Sequence, residues 1–294
     1  MRDIATPTKT KEILMKHNLQ MKKSLGQNFL VDTNITDKII RSSDINNNTG
    51  VIEIGPGIGS LTQQLAKYAK TVMAYEIDQR LLPVLEDTLQ DFSNVHILNQ
   101  DILKADVSAD IKLYLNDVEE VIVVANLPYY ITTPIIMNLL EADLPVQRYV
   151  VMMQKEVGER LVADPGSKSY GSLSIAVQYY TDVSQVMIVP KNVFMPPPNV
   201  DSIVVKLEKK SDLPDVGPIK QCFKLVRGAF NQRRKTILNN YQSVFVDGKL
   251  HKESIKEWLL EADIDPKIRG EVLTLEQYSK LNKLLNNYPE LVIK

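Results

Sequence analysis

Two stretches of this 294-residue chain hold residue types and spacings that can do chemistry. The first is Val51-Ile-Glu-Ile-Gly55-Pro56-Gly57-Ile-Gly59-Ser60, an apolar run ending in three alternating glycines. Without Cβ atoms the backbone can turn sharply and lie close against a ligand. Glu76 follows Gly55 by 21 residues, at the end of the next apolar run, where a carboxylate can accept from ribose hydroxyls. Asp101 follows a third run and is placed to accept from an adenine amino group. The glycine spacing is G-x-G-x-G. Ser60 stands where a dinucleotide fingerprint needs a third glycine, and Pro56 removes a backbone donor. Both points disfavour a pyrophosphate and favour a nucleoside ligand without phosphate, with S-adenosylmethionine as the leading choice.

The second stretch is Val121-Ile-Val-Val-Ala-Asn126-Leu127-Pro128-Tyr129-Tyr130. If three earlier strand ends hold a nucleoside, this fourth one faces its reactive part. The amino nitrogen of adenine is a poor nucleophile because its lone pair is delocalised into the ring. Two acceptors aimed at its hydrogens favour a pyramidal nitrogen whose lone pair points at a methyl donor. The side-chain oxygen of Asn126 supplies one. The backbone carbonyl of Leu127, held by the rigid ring of Pro128, supplies the other. Tyr129 offers an aromatic face to a base taken out of its stack. No carboxylate or histidine is required, since the methylated nitrogen becomes acidic and loses its proton to water. A second transfer to the same nitrogen leaves one hydrogen for one acceptor, so small or apolar walls are expected beside Asn126.

The elements that must position these residues follow from periodicity. Strands are predicted at 51–54, 71–76, 95–98, 121–125 and 149–153, with helices at 60–69, 81–89, 133–140 and 156–163 between and after them. Ser60 opens the first of these helices, and Gln63 completes a capping box. Alternation of valine-rich strands with helices implies an α/β fold, a mainly parallel sheet covered on both faces. Two more strands, 185–189 and 202–207, have no helix between them and suggest an antiparallel hairpin closing the sheet edge. The expected organisation is a basic lead over 1–27, a catalytic domain over 28–208, a linker over 209–218 and a small all-α domain over 219–294. That last domain is read as helices at 219–240, 252–262 and 274–286.

Four landmarks give the chain a family likeness: Lys23-Ser-Leu-Gly-Gln-Asn-Phe-Leu30, Glu53-Ile-Gly-Pro-Gly-Ile-Gly59, Asn126-Leu-Pro-Tyr-Tyr130 and Phe194-Met-Pro-Pro-Pro-Asn-Val-Asp-Ser202. They stand in order across residues 22–207, and together the chain resembles the ribosomal RNA adenine N6-dimethyltransferases. The resemblance implies a Rossmann-like class I methyltransferase fold that binds S-adenosylmethionine. By matching positions it implies cofactor contacts from Asn28, Leu30, Gly55, Gly57, Glu76, Asp101 and Asn126. Asn126, Leu127, Pro128 and Tyr129 would then form the catalytic turn, and Phe194 would sandwich the target adenine opposite Tyr129. The family has two branches. One dimethylates two adjacent adenines near the 3′ end of small-subunit ribosomal RNA; the other dimethylates one adenine of large-subunit RNA and gives macrolide resistance. Leu127, the Val200-Asp201-Ser202 ending and the long N-terminal lead resemble the small-subunit branch, which implies a role in small-subunit biogenesis.

Lys plus Arg total 35 and Asp plus Glu 36, a net charge of −1, so nucleic-acid binding by bulk charge is excluded. Local charge is uneven. Residues 218–246 carry Lys220, Lys224, Arg227, Arg233, Arg234 and Lys235 with no acid, and residues 1–30 carry six basic residues against two acidic ones. Arg227, Arg233, Arg234 and Lys235, with Lys22 and Lys23 beside the cofactor entrance, are the expected phosphate contacts. The alternative is a solvated helix face and a mobile terminus. One cysteine, Cys222, and three scattered histidines exclude zinc-finger and iron–sulfur sites, so no metal is expected. The cysteine nucleophile of pyrimidine carbon-5 methylation is excluded likewise, since Cys222 lies in the helical part. The longest apolar runs have five residues, far short of the ~20 a membrane helix needs. A cytoplasmic monomer acting on RNA within an immature ribosomal subunit is expected. The competing readings are an NAD-dependent dehydrogenase, disfavoured by Ser60 and a missing proton-relay histidine, and a non-catalytic ribosome assembly factor.

Overall fold

The computed structural model describes residues 3–19 and 27–294. The chain divides into two compact units: Met1–Gly158 with Asp182–Lys209, and Glu159–Thr181 with Lys210–Lys294.

The first unit is built on a seven-stranded sheet. Its strands are β2 (Thr49–Ile54), β3 (Thr71–Tyr75), β4 (Val95–Leu98), β5 (Glu120–Asn126), β6 (Val146–Gln154), β7 (Thr181–Val189) and β9 (Ser202–Lys209), in the spatial order β4-β3-β2-β5-β6-β9-β7. The pairs β2–β3, β3–β4, β2–β5 and β5–β6 are parallel, and β9 runs antiparallel to β6. As expected, β7 and β9 are neighbours and close one edge. A two-stranded ladder joins β1 (Phe29–Leu30) to β8 (Phe194–Met195), pairing Leu30 with Phe194.

Helices cover both faces of this sheet. Val51, Val72, Ile122, Val124, Val150 and Met152 pack on one side against α2 (Thr33–Ser42) and α3 (Ser60–Tyr68), through Ile39, Ile40, Leu61 and Leu65. Residues of the opposite pleat meet the other helices. The Tyr75 hydroxyl donates to Asp110 of α5 (Val107–Tyr114) at 2.8 Å, and Tyr149 donates to the Leu139 carbonyl of α6 (Thr132–Glu141) at 3.4 Å. Helix α4 (Leu82–Thr88) buries Val84 and Leu85 against Ile58 and Ile13.

Three local expectations change. The described part of the lead is not a solvated tail: α1 (Pro7–Lys16) starts at a Thr6 cap, and Ile4, Ala5 and Ile13 are buried. The capping box at Ser60 does not form. Left-handed Gly59 caps α3, and Gln63 instead accepts from the buried Ile4 N–H at 2.9 Å, so tertiary docking takes the side chain that local capping would have used. The helix expected over 219–240 is two, α9 (Ile219–Ala229) and α10 (Ile237–Val244). Asn240 explains the break. Its amide donates to the carbonyls of Ala229 and Gln232 and its oxygen accepts from the Gln232 N–H, satisfying a turn that periodicity does not reveal. Sequence reading also passes over α2, α5 and α8 (Ser172–Tyr180).

In the second unit, α9, α10, α11 (Lys252–Glu261) and α12 (Leu275–Leu284) surround a core containing Leu225, Tyr241, Trp258 and Leu281. The Trp258 ring lies 5.1 Å from Tyr241 and 5.5 Å from Phe245, and its indole N–H donates to the Leu281 carbonyl at 3.0 Å. Ala163, Tyr170, Ile175 and Tyr179 share this core, which is why residues 159–181, expected in the catalytic domain, group with the helices. Helix α7 (Lys155–Leu161) runs across that division.

Gly228 sets how closely α9 and α10 approach, because a Cβ there would lie 2.3 Å from Val244 Cγ2. Gly228→Ala is therefore expected to destabilise the protein by about 1–3 kcal/mol despite alanine's better helix propensity, and Val244→Ala should recover part of that loss. Denaturant unfolding of the single and double variants measures both.

Candidate active site

Strand order reverses between β2 and β5, and the carboxyl ends of β2, β3, β4 and β5 open onto one cavity of the first unit. Open α/β sheets bind ligands at such a switch point. Gln27, Asn28, Phe29, Leu30, Gly55, Gly57, Glu76, Asp101, Asn126, Leu127, Pro128 and Tyr129 all line it. Every expected cofactor residue and every residue of the catalytic turn is thus gathered in one place, from segments as far apart in sequence as Asn28 and Asn126.

The floor is the glycine turn. Gly55, Gly57 and Gly59 have φ of 70°, 61° and 90°, a region that L side chains rarely adopt. The Gly55 N–H donates to the Tyr75 carbonyl and the Gly59 N–H to the Pro56 carbonyl, both at 2.9 Å. A Cβ on Gly57 would stand 3.2 Å from the Phe29 ring, so this glycine also lets β1 close against the loop.

Glu76 sits just past β3, with its N–H donating to the Leu98 carbonyl at 2.9 Å. One carboxylate oxygen accepts from the Asp78 N–H at 2.7 Å. Burial raises its pKa above the ordinary value, and the backbone N–H groups of Asp78 and Gly57 oppose that shift. Asp101 Oδ1 accepts from the Leu103 N–H at 3.0 Å, and Lys104 stands 3.8 Å from its other oxygen.

At the end of β5, Asn126 Oδ1 is buried and has no hydrogen-bond partner among the described residues. An orphaned acceptor in a buried position is costly unless something fills it. Leu127 is buried and its N–H donates to the Met152 carbonyl at 2.9 Å. The Pro128 carbonyl accepts from Ile131 N–H and the Thr132 hydroxyl, so the turn is held from both sides. The Tyr129 hydroxyl is hydrogen-bonded to Ser202 Oγ. Leu127, Pro128 and Ile135 are among the apolar residues that line the same cavity as Asn126.

Glu53 lines the same cavity and was not among the expected site residues. It is 1% exposed on β2, one of its carboxyl oxygens lacks a partner among the described residues, and burial pushes its pKa up to about 8, helped by the charge of Glu76. Its position two residues before Gly55 was the available signal; a strand carboxylate reads as half exposed until the sheet is covered. Tyr130, half exposed at the rim, also lines the cavity.

Phe194 is not brought to the cavity. Its ring is 3% exposed and packs with Leu30, Met187 and Val189, because the β1–β8 ladder draws it under the sheet's edge. Lys22 and Lys23 lie outside the described residues. On the second unit Arg227 is exposed on α9, while Arg233, Arg234 and Lys235 are exposed in the turn between α9 and α10, not on a helix face. Arg233 donates to the Lys168 carbonyl and is 3.8 Å from Glu271. Cys222 is fully buried in that unit, which pushes its thiol up to about 11 and leaves it inert as a nucleophile.

The donor set fits S-adenosylmethionine. It combines a close-approach glycine floor, carboxylates at two adjacent strand ends, an unfilled amide acceptor and apolar walls from Ile58, Leu61 and Ile102.

Known proteins match most of the chain. Residues 18–281 match the family described as Ribosomal RNA adenine dimethylase. The Ribosomal RNA small subunit methyltransferase A proteins of Staphylococcus haemolyticus (strain JCSC1435) and Staphylococcus aureus (strain Newman) are each 60% identical over 291 residues, covering 99% of this chain and 98% of theirs. A crystal structure of a dimethyladenosine transferase from Plasmodium falciparum superposes with a TM-score of 0.74 at 26% identity, covering 88% of this chain and 98% of that one. The 23S rRNA methyltransferase ErmE, at 24% identity and a TM-score of 0.65 over 88% of this chain and 100% of its own, shares the fold.

The buried Glu53 carboxyl predicts a pH effect on the ligand-free protein. Below its ordinary value of 4.5 it is protonated in folded and unfolded chains alike. Between 4.5 and about 8 the unfolded chain ionises while the folded one keeps its proton, so stability falls as pH rises through that window. Glu53→Gln should remove this component. Thermal unfolding across the pH range, run on both proteins, checks it: the variant gains on the parent toward pH 8.

Proposed function

The chain belongs to the ribosomal RNA adenine dimethylase family, and on that premise we propose that it methylates N6 of two adjacent adenines near the 3′ end of small-subunit ribosomal RNA, forming N6,N6-dimethyladenosines. The observation that carries the reading is Asn126 at the end of β5: it lines a cavity fit for a nucleoside, and its buried side-chain oxygen has no hydrogen-bond partner among the described residues.

S-adenosylmethionine supplies a methyl group made electrophilic by its sulfonium. Asn28, Leu30, Gly55, Gly57, Glu76, Asp101 and Asn126 hold the donor. Glu76 accepts from ribose hydroxyls, Asp101 accepts from the adenine amino group, and the glycine turn lets the backbone approach. Asn126 Oδ1 and the Leu127 carbonyl accept from the two hydrogens of the target amine, directing its lone pair along the line of transfer. The cost of leaving that oxygen unpaired is relieved when the substrate amine arrives, so the interaction favours the reacting arrangement. Tyr129, fixed by Ser202, presents its ring to the extruded base. Phe194 joins it only after leaving its buried position. The proton of the methylated nitrogen passes to water. After the first transfer one hydrogen remains for one acceptor, and the wall of Leu127, Pro128 and Ile135 accommodates the methyl group already present.

The RNA is held by the exposed cations Arg227, Arg233, Arg234 and Lys235, with Lys22 and Lys23, outside the described residues, as further phosphate contacts. Residues 219–294 form the RNA-binding part, and the substrate is RNA within an immature small subunit, met by a monomer in the cytoplasm. None of the described helices is long and apolar enough to cross a membrane.

Asn126→Ala is expected to slow methyl transfer at least about a hundredfold while S-adenosylmethionine binding stays measurable. Full activity in a radiolabelled-methyl assay on unmethylated small subunits would remove the acceptor role. The double variant Arg234→Glu/Lys235→Glu should bind the same RNA more weakly, with a log K against log salt slope shallower by about 2. Filter binding at several salt concentrations reads this, and an unchanged slope assigns the phosphate contacts elsewhere.

A further inference from the structure

Two chain segments far apart in sequence must be held together for the cavity to exist: Gln27–Leu30, leading into β1, and Glu76–Ile77, leaving β3. One residue outside the cavity lining touches both, with its side chain on one segment and its backbone on the other. Asp78 is 5% exposed, and its carboxylate accepts from Gln27 Nε2 at 2.8 Å. Since a carboxylate only accepts, the Gln27 amide must present its nitrogen there. Arg80 closes the other side as a fork, with Nε 2.9 Å from Oδ1 and Nη2 2.5 Å from Oδ2, and its backbone N–H also reaches Oδ1 at 3.3 Å. Asp78 in turn donates its backbone N–H to Glu76 Oε1 at 2.7 Å.

From this junction we infer that Asp78 is a positioning residue for the methyl donor: through its backbone it aims the Glu76 carboxylate, and through Gln27 it draws the Asn28–Leu30 segment to the same ligand. The inference rests on the donor occupying this cavity, as proposed above. A buried carboxylate at this position is otherwise expensive, and an aspartate serving only as a turn cap would not need to exclude water. The Arg80 side chain, foremost, holds the Asp78 carboxyl down at about 2, so it is an anion at neutral pH. Charge-assisted bonds to Gln27 and Arg80 then fix one loop geometry instead of several. Without the Asp78 N–H the Glu76 carboxylate would keep only the Gly57 and Ile77 N–H groups, and the added freedom weakens the grip on the ribose.

The test uses the full-length protein and S-adenosylhomocysteine, with affinity read by titration calorimetry and folding by thermal unfolding without ligand. Asp78→Ala is expected to weaken binding by about tenfold or more, the scale of a lost charge-assisted bond. Glu76→Ala also weakens it. In the double variant the two affinity losses fall well short of adding, because no carboxylate remains to be aimed, whereas a merely structural Asp78 gives losses that add. Gln27→Met, which leaves the Arg80 pair intact, should weaken binding about threefold. If Asp78→Ala is unfolded at the assay temperature, Asp78→Asn and Gln27→Met decide. Reduced affinity in both supports the role, and parental affinity in both overturns it. Affinity of Asp78→Ala within twofold of the parent, or full additivity with Glu76→Ala, overturns it while leaving the donor site standing. Parental affinity in Glu76→Ala overturns the donor site itself and this inference with it.

Discussion

The site depends on one topological constraint. Strands β2 and β5 are parallel neighbours, but the chain leaves β2 toward β3 and β4 and leaves β5 toward β6. Connections that would normally cover the carboxyl ends diverge at this point, and a crevice remains between them. Gly55 stands at one lip and Asn126 at the other. A Cβ on Gly55 would meet Pro128 Cγ at 3.8 Å, ordinary van der Waals contact, so where the glycine turn abuts the Asn126 turn it is the φ of 70°, not crowding, that requires glycine. Everything else about the site follows from what can be attached to the edges of that gap.

The gap is polar in a dry setting. Asn126 Oδ1 and one oxygen of Glu53 lack partners among the described residues, and burial drives up the pKa of both Glu53 and Glu76. Unpaired acceptors in low dielectric are destabilising, and those on the cavity lining are relieved when a ligand satisfies them. The first unit therefore gives up some stability at the place where it binds. The rest of its sheet is conventional, with Val51, Ile122 and Val124 fully buried beneath α2 and α3. That contrast separates scaffold from site: apolar strand interiors hold rigid what the strand ends must aim.

The second unit follows different physics. Its core is aromatic and helical, with Trp258 between Tyr241 and Phe245, and Gly228 and Gly270 each carry a position where a Cβ would collide with a neighbouring helix. Its cations sit on the outside, on α9 and in the turn that Asn240 fastens.

Much of this was legible in the sequence. Valine-rich runs with helical spacing between them identify a buried parallel sheet, since β-branched residues covered on both faces have few other uses. The glycine triplet, Glu76, Asp101 and Asn126 fall at successive strand ends, so their order along the chain already implied convergence at one edge. Side-chain partners were not legible, because they are set by which segments meet. Gln63 looked like a capping residue and instead holds Ile4; Asn240 looked like the last residue of a helix and instead closes a turn; Phe194 is drawn into the core by its ladder with Leu30. Residues 159–181 joined the helical unit because Tyr170 and Tyr179 found their apolar partners there. Glu53 and Asp78 drew no notice as acids in or beside strands, and became informative only once burial had removed their water. Local sequence thus determined the elements and the chemistry at their ends, through periodicity and backbone sterics. Tertiary structure decided which polar atoms are paired, which are left open and which carboxylates are buried, because those properties depend on long-range packing that no window of sequence contains.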